Sequence, residues 1–127
     1  MIIQIDIDGT LDQAPAFFRW MTKALRNDRQ TILIVSSRTT STENLKLSAD
    51  ELKGWGITYD KLILSPNLND LDARQFPKDL HPGHKLYVYK LIVARDFGTE
   101  VLFDDCGITA ELFRKHLPQV KVFKPIR

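Results

Sequence analysis

The chain carries one cysteine, Cys106, in 127 residues, so no disulfide can close within it, and a reducing, cytoplasmic setting is expected. No apolar stretch comes near the roughly 20 residues that a membrane-crossing helix needs. Nor does a basic segment followed by an apolar one open the chain, so neither secretion nor membrane anchoring is expected. Charge of one sign is lacking too. The net charge is +2, and the Lys and Arg residues are scattered among acids rather than gathered in a run. The charge pattern therefore gives no support to a nucleic-acid footprint. Internal repeats and low-complexity tracts are missing. With 43% hydrophobic and 27% charged residues the composition excludes a disordered chain, and the length suits one domain, 1–127, with a sizeable core.

What the chain does have is an acid pair at the end of its first apolar run, Ile2-Ile3-Gln4-Ile5-Asp6-Ile7-Asp8-Gly9-Thr10-Leu11. Asp6 stands where the strand pattern stops, which aims its carboxylate at the carboxyl edge of a buried strand, where open α/β sheets bind ligands. Gly9 permits a sharp turn. Two carboxylates so spaced can share a hard cation, one attacking while the other handles the proton. Asp, Gly and Thr are also ordinary turn formers. A second pair answers that objection: Val101-Leu102-Phe103-Asp104-Asp105 again places acids at the end of a strand-like run, where burial of unpaired charge is costly.

Strand-like and helix-like segments alternate along the chain. Strands are expected at 2–6, 31–35, 61–64, 100–103 and 120–123, and helices at 15–27, 42–53, 85–97 and 109–117. Pro15 suits a first helical turn, and Phe17, Trp20 or Met21, Ala24 and Leu25 share a helical spacing that reads as a core face. Gly54 is the expected stop of the second helix. Residues 67–84 are polar and rich in Pro, Asn and Asp, and read as a long loop with at most one short helical turn. The alternation predicts right-handed crossovers and a three-layer, Rossmann-like parallel sheet of five strands with helices on both faces. Asp6, Ser36 and Asp104 then converge on one edge.

These residues carry a resemblance. Asp6-Ile7-Asp8-Gly9-Thr10-Leu11, Ile32-Leu33-Ile34-Val35-Ser36, a helix-borne lysine and Phe103-Asp104-Asp105 resemble, in order and spacing over nearly the whole chain, the haloacid dehalogenase (HAD) superfamily of phosphohydrolases. The resemblance implies that Asp6 attacks phosphorus and that Asp8 is the general acid and base. An acid at the second position further implies a phosphatase rather than a dehalogenase. It implies Mg²⁺ held by Asp6, the backbone carbonyl of Asp8, and Asp104, with Asp105 supporting the metal or pairing with the lysine. Ser36 looks like the hydroxyl that binds the transferring phosphoryl group, with Ser37 its nearest competitor. Little room exists for an inserted cap after the first or third strand, so the chain looks like a capless member.

Lys85 and Lys90 both lie on the helix before the fourth strand, about 140° and 7.5 Å apart, so they cannot serve one spot. That helix descends from the active edge, which favours Lys85 as the phosphate-binding lysine and leaves Lys90 solvated or snorkelling. His81 and His84 lack the partners of a zinc set and read as loop residues. Cys106 has no activating His beside it. A capless site is open, so water has to be excluded by a homo-oligomer partner, by the 67–84 loop, or by a large substrate. The reading is a Mg²⁺-dependent phosphomonoester hydrolase working through an aspartyl-phosphate on Asp6, its phosphorylated substrate of unknown size. A nucleic-acid end phosphatase is the enzymatic alternative. A phospho-accepting regulatory module is the alternative from another class, although such receivers place their aspartate after the third strand, where this chain has Leu64-Ser65-Pro66.

Overall fold

Each of the five runs read as strands forms a parallel strand in the computed structural model, which describes residues 1–67, 70, 74 and 76–125. The strands are β1 (Ile2–Ile5), β2 (Thr31–Thr39), β3 (Lys61–Ser65), β4 (Val101–Phe103) and β5 (Lys121–Phe123), in the spatial order β3-β2-β1-β4-β5. Four helices connect them: α1 (Pro15–Asn27), α2 (Thr42–Trp55), α3 (Lys85–Phe97) and α4 (Gly107–His116). The chain works outward from β1 to β3, then returns to the other side of β1 with β4. This reversal makes β1/β4 the topological switch point, where neighbouring loops part and leave a crevice.

Alternation along β1 divides the core. Ile3 and Ile5, with Ile32 and Ile34 of β2, pack on one face against Phe18 of α1 and Leu52 of α2. Leu33 and Val35 pack on the other face against Tyr89 of α3, and Leu102 of β4 packs with Leu91 of α3 and Phe113 of α4. Gln4 points to the α3 face. Its amide donates to the Lys90 carbonyl, and its oxygen accepts from the Thr99 hydroxyl. Asp6, two residues on, faces the same helix.

Helix ends follow local chemistry. The Ser41 hydroxyl caps α2 by accepting from the Asn44 amide at 3.0 Å. That helix passes through Gly54 and ends one residue later, because Gly56 (φ 74°) takes the left-handed conformation that returns amide bonds to the last carbonyls. The expected stop at Gly54 is thereby corrected. β2 runs to Thr39 instead of ending at 35, with an irregular register between Ser36 and Thr39. The face of α1 is partly as expected: Met21 and Leu25 pack against the core, but Phe18 and Thr22 are the buried residues, and Phe17, Trp20 and Ala24 are exposed. Part of the 67–84 loop lies outside the described residues. Within it Pro82–His84 forms the short 3-10 turn that leads into α3. No helix among the described residues is long and apolar enough to cross a membrane.

Candidate active site

Just past β1, the backbone winds tightly from Asp6 to Asp12. The Asp6 carbonyl accepts from the Leu11 amide, and the Ile7 carbonyl accepts from Thr10 and Asp12. Gly9 (φ 82°) makes the turn, and its amide is held by the Asp12 carboxylate at 2.8 Å. The same loop grips the second acid pair, since the Thr10 hydroxyl accepts from the Asp105 amide at 3.1 Å. Asp6 and Asp104 are thus fixed side by side on neighbouring strands, the Asp6 amide donating to the Phe103 carbonyl at 2.9 Å.

Between them stands Lys90. Its ammonium donates to Asp6 Oδ1 at 2.9 Å and to Asp104 Oδ2 at 2.7 Å, with the lysine side chain 2% exposed. The other Asp104 oxygen accepts from the Cys106 amide at 2.9 Å. Lys85, the lysine expected at the site, is exposed and stands 6.0 Å over the Phe76 ring. Side chains on a helix lean toward its N-terminus, so a lysine one and a half turns inside α3 reaches back up to the carboxylates of Asp6 and Asp104. Lys90 is consequently neither solvated nor snorkelling.

Burial is the main force on Asp6 and raises its pKa from 3.8 to about 7. Repulsion from Asp104 and Asp105 adds to the rise, against the attraction of Lys90. For Lys90 burial pulls downward, but the attraction and hydrogen bonds of Asp6 and Asp104 outweigh it, and its pKa rises. The two shifts agree physically: one ammonium is shared by more carboxylates than it can neutralise.

Asp6, Asp104 and Asp105 each bring a carboxylate oxygen within 4.8 Å of the others. Three carboxylates with one ammonium carry a formal charge of −2. Three carboxylate oxygens so gathered are the hard donor set that a small divalent cation such as Mg²⁺ takes. The cation would supply the charge that the cluster lacks.

Asp8 faces outward and meets a residue that sequence reasoning left out. Arg38, beyond Ser36 and Ser37 on β2, clasps Asp8 through two bonds of 3.0 and 2.8 Å. It is steadied on α2 by the Ser48 hydroxyl at 2.9 Å and by Glu51 at 3.0 Å. The bonds from Arg38 hold the Asp8 carboxyl below its usual range, and those from Asp8 raise the guanidinium still higher. The two serines diverge. Ser36 is fully buried, its hydroxyl accepting from the Arg38 amide at 3.1 Å and its carbonyl accepting from the Tyr89 phenol. Ser37 is exposed and borders an open groove with Thr40, Ser65 and Leu86.

The fold is similar to that of solved chains. One, from a Pnkp1/Rnl/Hen1 complex, aligns with 98% of this chain and 45% of its own at a TM-score of 0.68 and 17% identity. Another, from the Pnkp1/Rnl/Hen1 RNA repair complex, aligns with 98% of this chain and 42% of its own at 0.65 and 16%. The likeness at such identity is one of fold, and this chain spans less than half the length of either neighbour. No family model and no curated protein matches the sequence.

Both missed residues left a trace in the sequence. Lys90 is the one charge inside the run Leu86-Tyr87-Val88-Tyr89-Lys90-Leu91-Ile92-Val93-Ala94, a setting in which a lysine is buried and needs acid partners. Arg38 comes just after the two serines that follow the apolar run Ile32-Leu33-Ile34-Val35.

Proposed function

We propose that this domain is a Mg²⁺-dependent phosphomonoesterase of the HAD type that removes phosphate from the ends of nucleic acids. The observation that carries the chemistry is the buried Asp6–Lys90–Asp104 bridge at the switch point of the sheet. The substrate class draws on the open, capless edge and on the fold shared with chains of an RNA repair complex.

In this reading, an Asp6 carboxylate oxygen bonds to phosphorus as the bond to the leaving hydroxyl breaks, and Asp8 protonates the departing oxygen. A water then attacks the aspartyl-phosphate. Asp8, now a base, takes the water's proton, and inorganic phosphate leaves a regenerated Asp6 carboxylate. Lys90 fixes the orientation of Asp6 and lowers the repulsion between carboxylate and phosphate. Asp6, Asp104 and Asp105, with the Asp8 carbonyl, would hold Mg²⁺, which supplies charge stabilisation to the transferring phosphoryl group. Arg38 keeps Asp8 ionised before substrate binds. An incoming phosphate dianion competes for the guanidinium, and release of Asp8 allows it to take up the proton it must donate. Ser37, the exposed one of the two serines, would supply a hydroxyl to the phosphoryl group, and the buried Ser36 hydroxyl holds the Arg38 amide. Lys85 has no part in this scheme.

Phosphate release from p-nitrophenyl phosphate and from oligonucleotides phosphorylated at either end, with and without Mg²⁺, tests the reading. Metal-dependent release with an oligonucleotide end preferred is expected. Absence of release from every substrate, or release that survives Asp6→Asn, overturns it.

A further inference from the structure

Beside the acid cluster, a groove of about 510 Å³ opens between the Gly9-Thr10 turn, the start of α1 and the end of β5. Its walls are aromatic. Phe123 lies nearly parallel on Phe103, with centroids 5.2 Å apart and planes 19° apart. Phe103 meets Phe18 edge-on, Phe18 meets Phe17 edge-on, and Phe17 reaches Trp20 at 6.2 Å. Phe18 is 4% exposed and belongs to the core, but Phe17, Trp20 and Phe123 are 49%, 66% and 54% exposed. Core packing accounts for the inner rings and leaves the outer ones unexplained.

We propose that this groove is a stacking platform for the unpaired bases of a single-stranded nucleic acid whose phosphorylated end lies at Asp6, an inference that rests on the phosphatase reading above. Three observations favour that occupant. The groove is continuous with the site, since Thr10 lines it and also holds the Asp105 amide. Its charge complements a polyanion: among the described residues that line it, Lys124 alone is charged. The Lys124 ammonium also hangs over the start of α4, 3.6 Å from where a Cβ on Gly107 would stand, next to the acid pair. Finally, exposed ring faces beside a backbone-tracking cation are the combination that binds single strands with little sequence preference, and a duplex, its bases already stacked, has no use for them.

Anisotropy of a fluorescent RNA hexamer without terminal phosphate, in the presence of a chelator, reads this platform without turnover. The wild-type protein is expected to bind the hexamer and to bind an abasic oligomer of the same length far more weakly. Phe17→Ala and Phe123→Ala should each weaken binding by roughly 5- to 150-fold, the worth of one stacked base. Phe123→Leu, which keeps apolar bulk but loses the ring, should fall with them, and Phe123→Trp should retain binding. Lys124→Ala should reduce the slope of log affinity against log salt by about 0.7. Thermal melts check that these exposed positions leave the fold intact. Wild-type protein that ignores the hexamer, an abasic oligomer bound as well as the hexamer, or a Phe123→Leu variant that binds like wild type overturns the platform. So does a concentration-dependent dimer that Phe17→Ala dissolves, because the face then belongs to a second copy. Hexamer binding that depends on the rings in a protein with no phosphatase activity supports the platform and removes only the catalytic reading.

Discussion

Replacing Lys90 by Met keeps the length and apolar stem of the side chain and deletes the charge that Asp6 and Asp104 share. Removing one partner of a buried ionic cluster costs about 3–5 kcal/mol, because the others remain buried and uncompensated. For a domain of this length that corresponds to a melting temperature lower by about 10–20 °C. The loss is pH-dependent, with a sign set by Asp6. In the metal-free protein the folded pKa of about 7 lies above the ordinary 3.8, so the native state keeps a proton that the unfolded chain releases, and stability falls as pH rises through that window. Without Lys90 the Asp6 pKa moves further up, and the deficit against wild type widens from pH 5 to pH 8. Saturating Mg²⁺ recovers part of it by supplying positive charge and binding only the folded state. Lys85→Met, at an exposed position, should shift stability by no more than about 0.5 kcal/mol. Calorimetric melts of both variants across pH, with and without Mg²⁺, decide the matter. A Lys90→Met protein within about 2 °C of wild type at pH 8, or a larger loss in Lys85→Met, refutes the assignment of the buried bridge.

Asp6→Asn should abolish phosphate release, yet raise the metal-free melting temperature at pH 8, because burial and neighbouring acids disfavour the ionised carboxylate; a lower melting temperature contradicts the electrostatic account. Asp104→Ala should weaken Mg²⁺ binding at least about tenfold by titration calorimetry, and unchanged affinity moves the ligand role off this strand. Arg38→Met should let the Asp8 carboxyl rise toward its ordinary 3.8, which NMR titration reads directly; an unmoved Asp8 means that the guanidinium is not what holds it down.

The α/β architecture was legible because each strand is a short β-branched run and each crossover carries its own helical signal. Parallel pairing then follows from the alternation. Boundaries were less so. Gly54 and Gly56 are equally good stops by composition, and the left-handed turn at Gly56, against which Arg19 packs, decides between them. On α1, Phe17 and Phe18 compete for one core position. The sheet selects Phe18, which meets Phe103 of β4 edge-on, and leaves Phe17 and Trp20 outside. Helical periodicity fixes the angle between residues but not which of two adjacent aromatics faces inward.

The acids and their lysine differ in kind as sequence signals. Asp6 and Asp104 announce themselves because a carboxylate at a strand end acts where its backbone lies, so placing the strand places the charge. Lys90 acts at a distance from its own Cα. The helix does start near the carboxyl edge of the sheet, as the topology requires, yet choosing Lys85 on that ground treats the lysine as a point on the helix axis. A side chain that leans toward the helix N-terminus delivers its ammonium above its own turn, so the residue nearest the edge in sequence is not the one that reaches it. Burial leads to Lys90 independently. A lysine in the middle of an apolar helical run has either to be neutral or to find carboxylates, and the only buried acids facing α3 among the described residues are Asp6 and Asp104. The pairing was therefore written in the apolar neighbours of Lys90 rather than in any property of the lysine itself.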